Sequence, residues 1–279
     1  MTRRALPAFA LLALLAGCGS SSPSGSVTVP AARVFSLGGF QPAGPVVAGK
    51  PIVVSFTIRQ PNGTAMTAFK TGPGPHTGVH LIVVRRDLAT IIHTHPKIGA
   101  GGRIAQAMTF AEPGPYKVVV DVYPKTGAQP NFQLFGTLTV AGKYTPKPLV
   151  GEGSVVVDGY RFTLHGNPAL HAIQASALTI TVTTPAGEPA QFTPWFGALA
   201  HAIFFRRGTL DYFHTHVCGA TATGCTSVLG GASVTGSSTT PGTLKVGVLV
   251  PVSGTWRLFL QCLVDGHVLT APFVLDVKP

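Results

Sequence analysis

Two stretches of the chain place histidines at alternate positions. "IIHTHP" contains His93 and His95, and "FHTHVCGATATGC" contains His214 and His216, with Cys218 continuing the alternation. Residues two apart in a β-strand point to the same side of the sheet, so each pair would present two imidazoles together. Imidazole nitrogens are ligands for zinc and copper. Each stretch therefore supplies candidate metal ligands.

A third histidine precedes each pair, and the spacing H-x12-H-x-H occurs in both segments. If each segment folds into a hairpin whose loop has an even number of residues, the third histidine joins the pair, because directly opposed residues share a side. The prediction is two groups of metal ligands: His80, His93 and His95; and His201, His214 and His216. His76 and Cys218 are additional candidates. The alternative is that these histidines only satisfy hydrogen-bond networks.

The histidine segments belong to a longer internal repeat. Residues 78–96 align with 199–217 without a gap, and the flanking segments match in the same order. This order indicates a tandem duplication of a domain of about a hundred residues. Each copy also carries two arginines where the hairpin turns, Arg85–Arg86 and Arg206–Arg207, which we expect to be solvated.

Short β-rich segments alternate with turn signals such as "PNGT" and "EPGP". About seven short strands in each copy predict an all-β protein with two tandem immunoglobulin-like β-sandwich domains. We place the domains at 30–146 and 147–279. Both sides of the strand 79–85 are apolar, so the side that carries His80 needs covering. We predict that the two histidine hairpins face each other across the domain interface and form one pseudo-symmetric six-histidine site.

The N-terminal residues predict secretion and a lipid anchor. Arg3 and Arg4 precede an apolar segment, 6–15, that is too short to span a bilayer. The sequence "LAGC" resembles the bacterial lipobox, in which the cysteine becomes lipidated. We predict a signal peptide over 1–17, a lipidated Cys18, and a flexible tether over 18–29. The protein would then be extracytoplasmic and attached to the cell membrane through its lipid.

Charge and composition exclude several classes of function. The net charge is +11, and removal of the two arginines of the signal peptide leaves +9. The sequence contains no run of basic residues, so we predict no nucleic-acid partner. Only nine acidic residues are present, and no paired carboxylates or Ser-His-Asp order stand out, so hydrolase chemistry is disfavoured. The sequence favours a non-enzymatic protein.

The cysteines after the signal peptide allow two pairings. Cysteines outside the cytoplasm usually form disulfides, and Cys218 and Cys225 bracket a glycine-containing loop, so we predict a small disulfide between them. The alternative pairing, Cys225 with Cys262, would leave Cys218 as a thiolate beside two histidines, which is a copper-like set.

The segments "HLIVVRRDLATIIHTHP" and "FGALAHAIFFRRGTLDYFHTHV" resemble an actinobacterial group of secreted two-domain proteins. That group is loosely allied with the YtkA-like/FixH-like and CopC-like immunoglobulin-fold proteins of the envelope, and this resemblance implies copper. "FHTHVCGATATGCTS" is similar to a stretch of copper-zinc superoxide dismutase, which implies His214 and His216 as copper ligands and a bond from Cys225 towards Cys262. The chain departs from that pattern because only His267 follows the stretch.

These observations predict a lipid-anchored, extracytoplasmic metal-binding protein without enzymatic activity. The predicted metal is copper, with zinc as the alternative, and the role is uptake, buffering or delivery, with a protein partner in the envelope. One alternative is a structural or interaction lipoprotein whose histidines form hydrogen bonds. The other is a copper-dependent oxidoreductase.

Overall fold

The computed structural model describes residues 34–127, 130–151, 153–166 and 168–279. Residues 34–279 form one compact unit. The predicted signal peptide, the tether and the lipidation site Cys18 lie outside the described residues. The only helical segment in the described part is a three-residue 3-10 turn, Ala100–Gly102, and no helix there is long and apolar enough to cross a membrane.

The first repeat is a sandwich of two sheets. The strands are β1 Ser36–Gln41, β2 Val46–Val47, β3 Pro51–Arg59, β4 Val79–Arg85, β5 Ile91–Thr94, β6 Ile104–Thr109, β7 Gly114–Val122 and β8 Phe132–Ala141. The three-stranded sheet has the order β1-β3-β6, and the five-stranded sheet has the order β2-β8-β7-β4-β5. Buried apolar side chains such as Phe56, Leu81 and Val118 fill the space between the sheets.

The second repeat has the same plan with added strands. The strands are β9 Ser154–Val157, β10 Tyr160–His165, β11 Leu170–His171, β12 Ser176–Thr183, β13 Phe192–Thr193, β14 Ala200–Arg206, β15 Tyr212–Gly219, β16 Thr226–Leu229, β17 Ala232–Thr240, β18 Thr243–Val248, β19 Gly254–Val264 and β20 His267–Lys278. The order β11-β20-β19-β14-β15 corresponds to the five-stranded sheet of the first repeat, and the order β18-β12-β10 corresponds to its three-stranded sheet. Here β17 pairs in parallel with β15 and also pairs with β18, so the two layers form one continuous sheet.

The two five-stranded layers pack against each other through their outer faces. Ile82 and Val84 on β4 meet Ile203 and Phe205 on β14 in a cluster in which all four side chains are fully buried. Because alternate residues of a strand share a face, His80 lies on the same face of β4 as Ile82, and His201 lies on the same face of β14 as Ile203. The interface between the repeats is therefore apolar at one end and lined by imidazoles at the other.

One expectation about the hairpin turns is wrong. Arg85 is not solvated: it is 2% exposed, and its Nη1 lies 2.9 Å from Asp87 Oδ2 and 2.7 Å from Glu112 Oε2. Its guanidinium also donates to the backbone carbonyl of Thr145 in the segment between the repeats. The equivalent Arg206 is 31% exposed and lies 3.5 Å from Asp211 Oδ2. Arg85 is buried because it holds together a turn, a loop and the connecting segment.

Candidate metal centre

The hairpin register places three histidines of each repeat on one face. In the first hairpin Ile82 pairs with His93 and Leu81 with Thr94, so His95 follows the strand opposite His80. In the second hairpin His201 pairs directly with His216. The predicted even loop is therefore present in both copies, and the third imidazole joins each pair.

The two sets of imidazoles meet at the interface and form one cluster, which we call the histidine centre. Nδ1 of His80 lies 3.4 Å from Nδ1 of His214, and Nε2 of His93 lies 3.2 Å from Nε2 of His95. The rings of His93 and His201 are 4.9 Å apart between centroids, and those of His201 and His216 are also 4.9 Å apart. The predicted face-to-face arrangement of the two hairpins is thus present in the structure.

Among the described residues, three groups of three histidines have ring nitrogens within 4.8 Å of one another. One group comes from the first repeat alone, and the other two combine residues of both repeats. The groups are His80, His93 and His95; His80, His214 and His216; and His93, His201 and His214. Every ligand atom in these groups is an imidazole nitrogen.

Three of the rings form hydrogen bonds with partners outside the cluster, and each of these bonds determines which nitrogen of its ring carries the lone pair. Nε2 of His80 donates to the carbonyl of Pro75 at 2.8 Å, and Nε2 of His201 donates to the carbonyl of Trp195 at 2.9 Å. Both rings therefore turn a lone pair on Nδ1 inwards. Nδ1 of His93 donates to Oε1 of Gln261 at 3.1 Å, so the lone pair of this ring is on Nε2, which lies 3.2 Å from Nε2 of His95. Such partners of metal-binding histidines set the tautomer and the ring orientation.

Four buried ring nitrogens have no hydrogen-bond partner among the described residues: Nδ1 of His201, Nε2 of His214, and both nitrogens of His216. All belong to the histidine centre. A buried polar atom without a partner costs about 1–3 kcal/mol. Four such atoms in one cluster are therefore a costly arrangement for a site that does nothing but hold the fold together.

Burial keeps these imidazoles neutral. Desolvation, with repulsion between neighbouring imidazoles, lowers the pKa of His80, His93, His214 and His216 well below 6.5. The same causes lower the pKa of His95 to about 2, and desolvation lowers that of His201 to about 4. Neutral imidazole is the form that binds metal ions.

Aromatic side chains cover one side of the centre. The ring of Phe196 stacks on His95 with centroids 4.0 Å apart, and the ring of Trp195 lies 5.6 Å from His93. The turn that carries both rings approaches a loop of the first repeat at Gly197, where φ is +79° and a Cβ atom would stand 2.6 Å from the carbonyl oxygen of Pro73. Only glycine fits there, so the sequence of this turn lets the second repeat cap histidines of the first.

Of the two additional candidate ligands, His76 lies beside the histidine centre, whereas Cys218 has no free thiolate. His76 is half-buried, stacks on Tyr123 and lies 4.7 Å from the ring of His216. Cys218 has no thiolate to offer, because it forms a disulfide with Cys225. That disulfide confirms the predicted pairing, and the pairing of Cys225 with Cys262 is wrong, since Cys262 is a free, buried thiol.

The sequence interpretation missed the residues that orient and cover the histidines. Gln261 is the clearest case, because it lies opposite His201 on β19 just as Asp121 lies opposite His80 on β7. Both are polar residues that follow three consecutive apolar residues, in "VVVDV" and "LFLQC". A polar residue at the same position of both copies was the sequence feature that could have identified Asp121 and Gln261 as part of the site. Nothing in the sequence marked Pro75 or Trp195, whose contributions come from backbone carbonyls.

The fold and the site define an all-β protein with a buried, purely imidazole centre between two repeats. Residues 155–279 match a family described as a domain of unknown function, DUF8832. No curated protein matches the chain. The match covers the second repeat, and the resemblance to copper-related envelope families stays a prediction.

Several solved structures are similar to the chain over most of its length. The fibronectin(III)-like modules of Clostridium thermocellum CbhA are 12% identical, with 88% of this chain and 93% of that chain covered and a TM-score of 0.23. Invasin, a bacterial integrin-binding protein, is 15% identical, with 88% and 38% covered and a TM-score of 0.24. A tetra-tandem repeat of a large adhesion protein is 11% identical, with 83% and 57% covered and a TM-score of 0.26.

Proposed function

We propose that the protein binds a transition-metal ion at the histidine centre, without enzymatic activity, and takes up, buffers or delivers that ion. The observation that carries this proposal is the set of four buried ring nitrogens without a partner. A bound ion would accept one lone pair from each of His201, His214 and His216, since one of the two His216 nitrogens carries a proton in the neutral ring. It would thereby offset part of the cost of burying these nitrogens. Copper is the first choice and zinc the second.

The donor set supports that choice of metal. Imidazole suits copper and zinc, whereas Mg²⁺ and Ca²⁺ prefer oxygen ligands. Sulfur ligands, which favour Cu(I), do not occur in the three candidate ligand groups. We therefore favour Cu(II) over Cu(I).

The location of the protein is part of the same proposal. A lipid on Cys18 would hold it at the outer face of the cell membrane, where it could exchange metal with a protein partner of the envelope. The disulfide between Cys218 and Cys225 supports an oxidising compartment outside the cytoplasm.

The test is a titration of residues 27–279 with Cu(II), Cu(I) and Zn(II), followed by calorimetry and metal analysis. We expect binding by the wild type and a large loss in two double variants, His93→Ala with His95→Ala and His214→Ala with His216→Ala. The matched control replaces His165 and His267, which are exposed and lie outside the centre. Equal binding by the wild type and both double variants would show that the ligands are assigned wrongly.

The second candidate function is a structural or interaction module. Its support is that three histidines already have hydrogen-bond partners outside the ring cluster: Pro75, Trp195 and Gln261. It leaves the four unpartnered nitrogens unexplained. A protein that binds no metal but loses stability on substitution of its histidines would favour this alternative.

A further inference from the structure

A cavity of about 220 Å³ lies beside the histidine centre. The half-buried His76 and the buried His214 are among the residues that line it, and Nε2 of His214 is one of the buried nitrogens without a partner among the described residues. Two exposed side chains, Lys70 and Val228, line its outer part. The cavity therefore leads from solvent to a histidine of the centre.

The cavity contains a buried carboxylate. Asp121 is 1% exposed, and its Oδ2 accepts hydrogen bonds from the hydroxyls of Tyr123 at 3.2 Å and Tyr212 at 3.3 Å. Its Oδ1 accepts from the amides of Asn131 at 3.0 Å and Gln133 at 2.9 Å. Burial raises the pKa of Asp121, and the four donated hydrogen bonds oppose that rise because each one stabilises the charged form. The four donors therefore favour the anion at neutral pH.

This negative charge breaks the symmetry between the repeats. Gln261 occupies the equivalent position on the other side and is neutral, and its amide is already engaged by His93 and Thr270. That side is also covered by Trp195 and Phe196, which pack on the rings of His93 and His95. The two sides of the centre thus differ in both charge and cover.

We propose that this cavity is the route by which a divalent cation reaches the histidine centre, and that the carboxylate of Asp121 draws the cation in. The inference rests on the proposed function. A negative charge inside a cleft with low-dielectric walls raises the local concentration of cations and their rate of association. Lys70 at the outer part opposes this effect, since its ammonium repels a cation.

The experiment measures the rate at which the full-length chain in detergent takes up Cu(II). Stopped-flow quenching of tryptophan fluorescence follows the reaction, because Trp195 lies 5.2 Å from the ring of His201. We expect Asp121→Asn to associate roughly tenfold more slowly, with a smaller dependence on salt. We expect Lys70→Gln to associate roughly two- to threefold faster. Asp276→Asn and Lys278→Gln are matched controls, because they make the same charge changes at exposed positions outside the cavity lining.

Opposite changes in the two rates, with both controls at the wild-type rate, support the proposal. The proposal is overturned if Asp121→Asn associates with Cu(II) at the wild-type rate. It is also overturned if Lys70→Gln associates with Cu(II) no faster than the wild type. Lys70 is exposed, so its substitution tests the route even if Asp121→Asn folds poorly. Binding at equilibrium with unchanged rates would overturn the route alone, whereas a wild type that binds no metal would overturn the proposed function and the route with it.

Discussion

Low pH should reduce the free energy of unfolding of the metal-free protein, because the buried imidazoles of the histidine centre take up protons only on unfolding. The six imidazoles have folded-state pKa values below their ordinary value of 6.5, since burial disfavours the charged form. The unfolded chain therefore binds more protons than the folded chain at any pH between the folded-state values and 6.5. The free energy of unfolding is then highest above pH 6.5 and falls as the pH drops below it.

The size of this effect follows from the number of groups. Each buried imidazole lowers the free energy of unfolding by about 1.4 kcal/mol between pH 7.5 and 5.5 if it stays neutral in the folded state. Six groups give about 8 kcal/mol, which is comparable to the whole stability of a typical domain. This is an upper bound for the six groups, because a centre that opens would let water reach the charges. His76, whose pKa burial lowers to about 4, adds to the loss in the same direction.

Thermal and urea unfolding of the metal-free protein at pH 7.5 and pH 5.5 measures the loss. Replacing His214 and His216 by glutamine removes two of the six groups and should reduce the loss by about a third. The same substitution of the exposed His165 and His267 should leave it unchanged. A melting temperature that moves by no more than about 2 °C between the two pH values would refute the reasoning, since that corresponds to a loss of only about 1 kcal/mol in a unit of this size.

Three further predictions concern stability and metal affinity. Arg85→Ala should cost about 3–5 kcal/mol in urea unfolding, because it leaves the buried carboxylate of Asp87 without its cation, while substitution of the equivalent, partly exposed Arg206 by Ala should cost less than about 1 kcal/mol. Replacing Cys218 and Cys225 by serine should cost about 2–3 kcal/mol from the entropy of the short loop, which reduction of the wild type should reproduce in a thermal melt. Gln261→Leu should weaken metal binding by about 10–100-fold, because it frees the ring of His93, and an unchanged dissociation constant would contradict that role.

Sequence patterns predicted the all-β class, the internal repeat and the shared face of the histidines, because alternation and spacing are local properties. The strand β17, "ASVTGSSTT", was missed, since its polar residues lack the apolar alternation of a half-buried strand. The burial of Arg85 was missed for a different reason. Its partner Glu112 lies on a separate loop, and such contacts depend on tertiary packing that no local pattern records.

The centre depends on both repeats at once, and this follows from the packing of their sheets. Of the three groups of neighbouring ring nitrogens, two combine histidines of both copies, and Gln261 of the second copy orients His93 of the first. A single repeat would present three imidazoles on a sheet face whose apolar neighbours, Ile82 and Val84, were exposed to water. Duplication therefore does two things with one surface: it covers the apolar part of the face, and it encloses the polar part so that the imidazoles stay neutral and able to bind a metal ion.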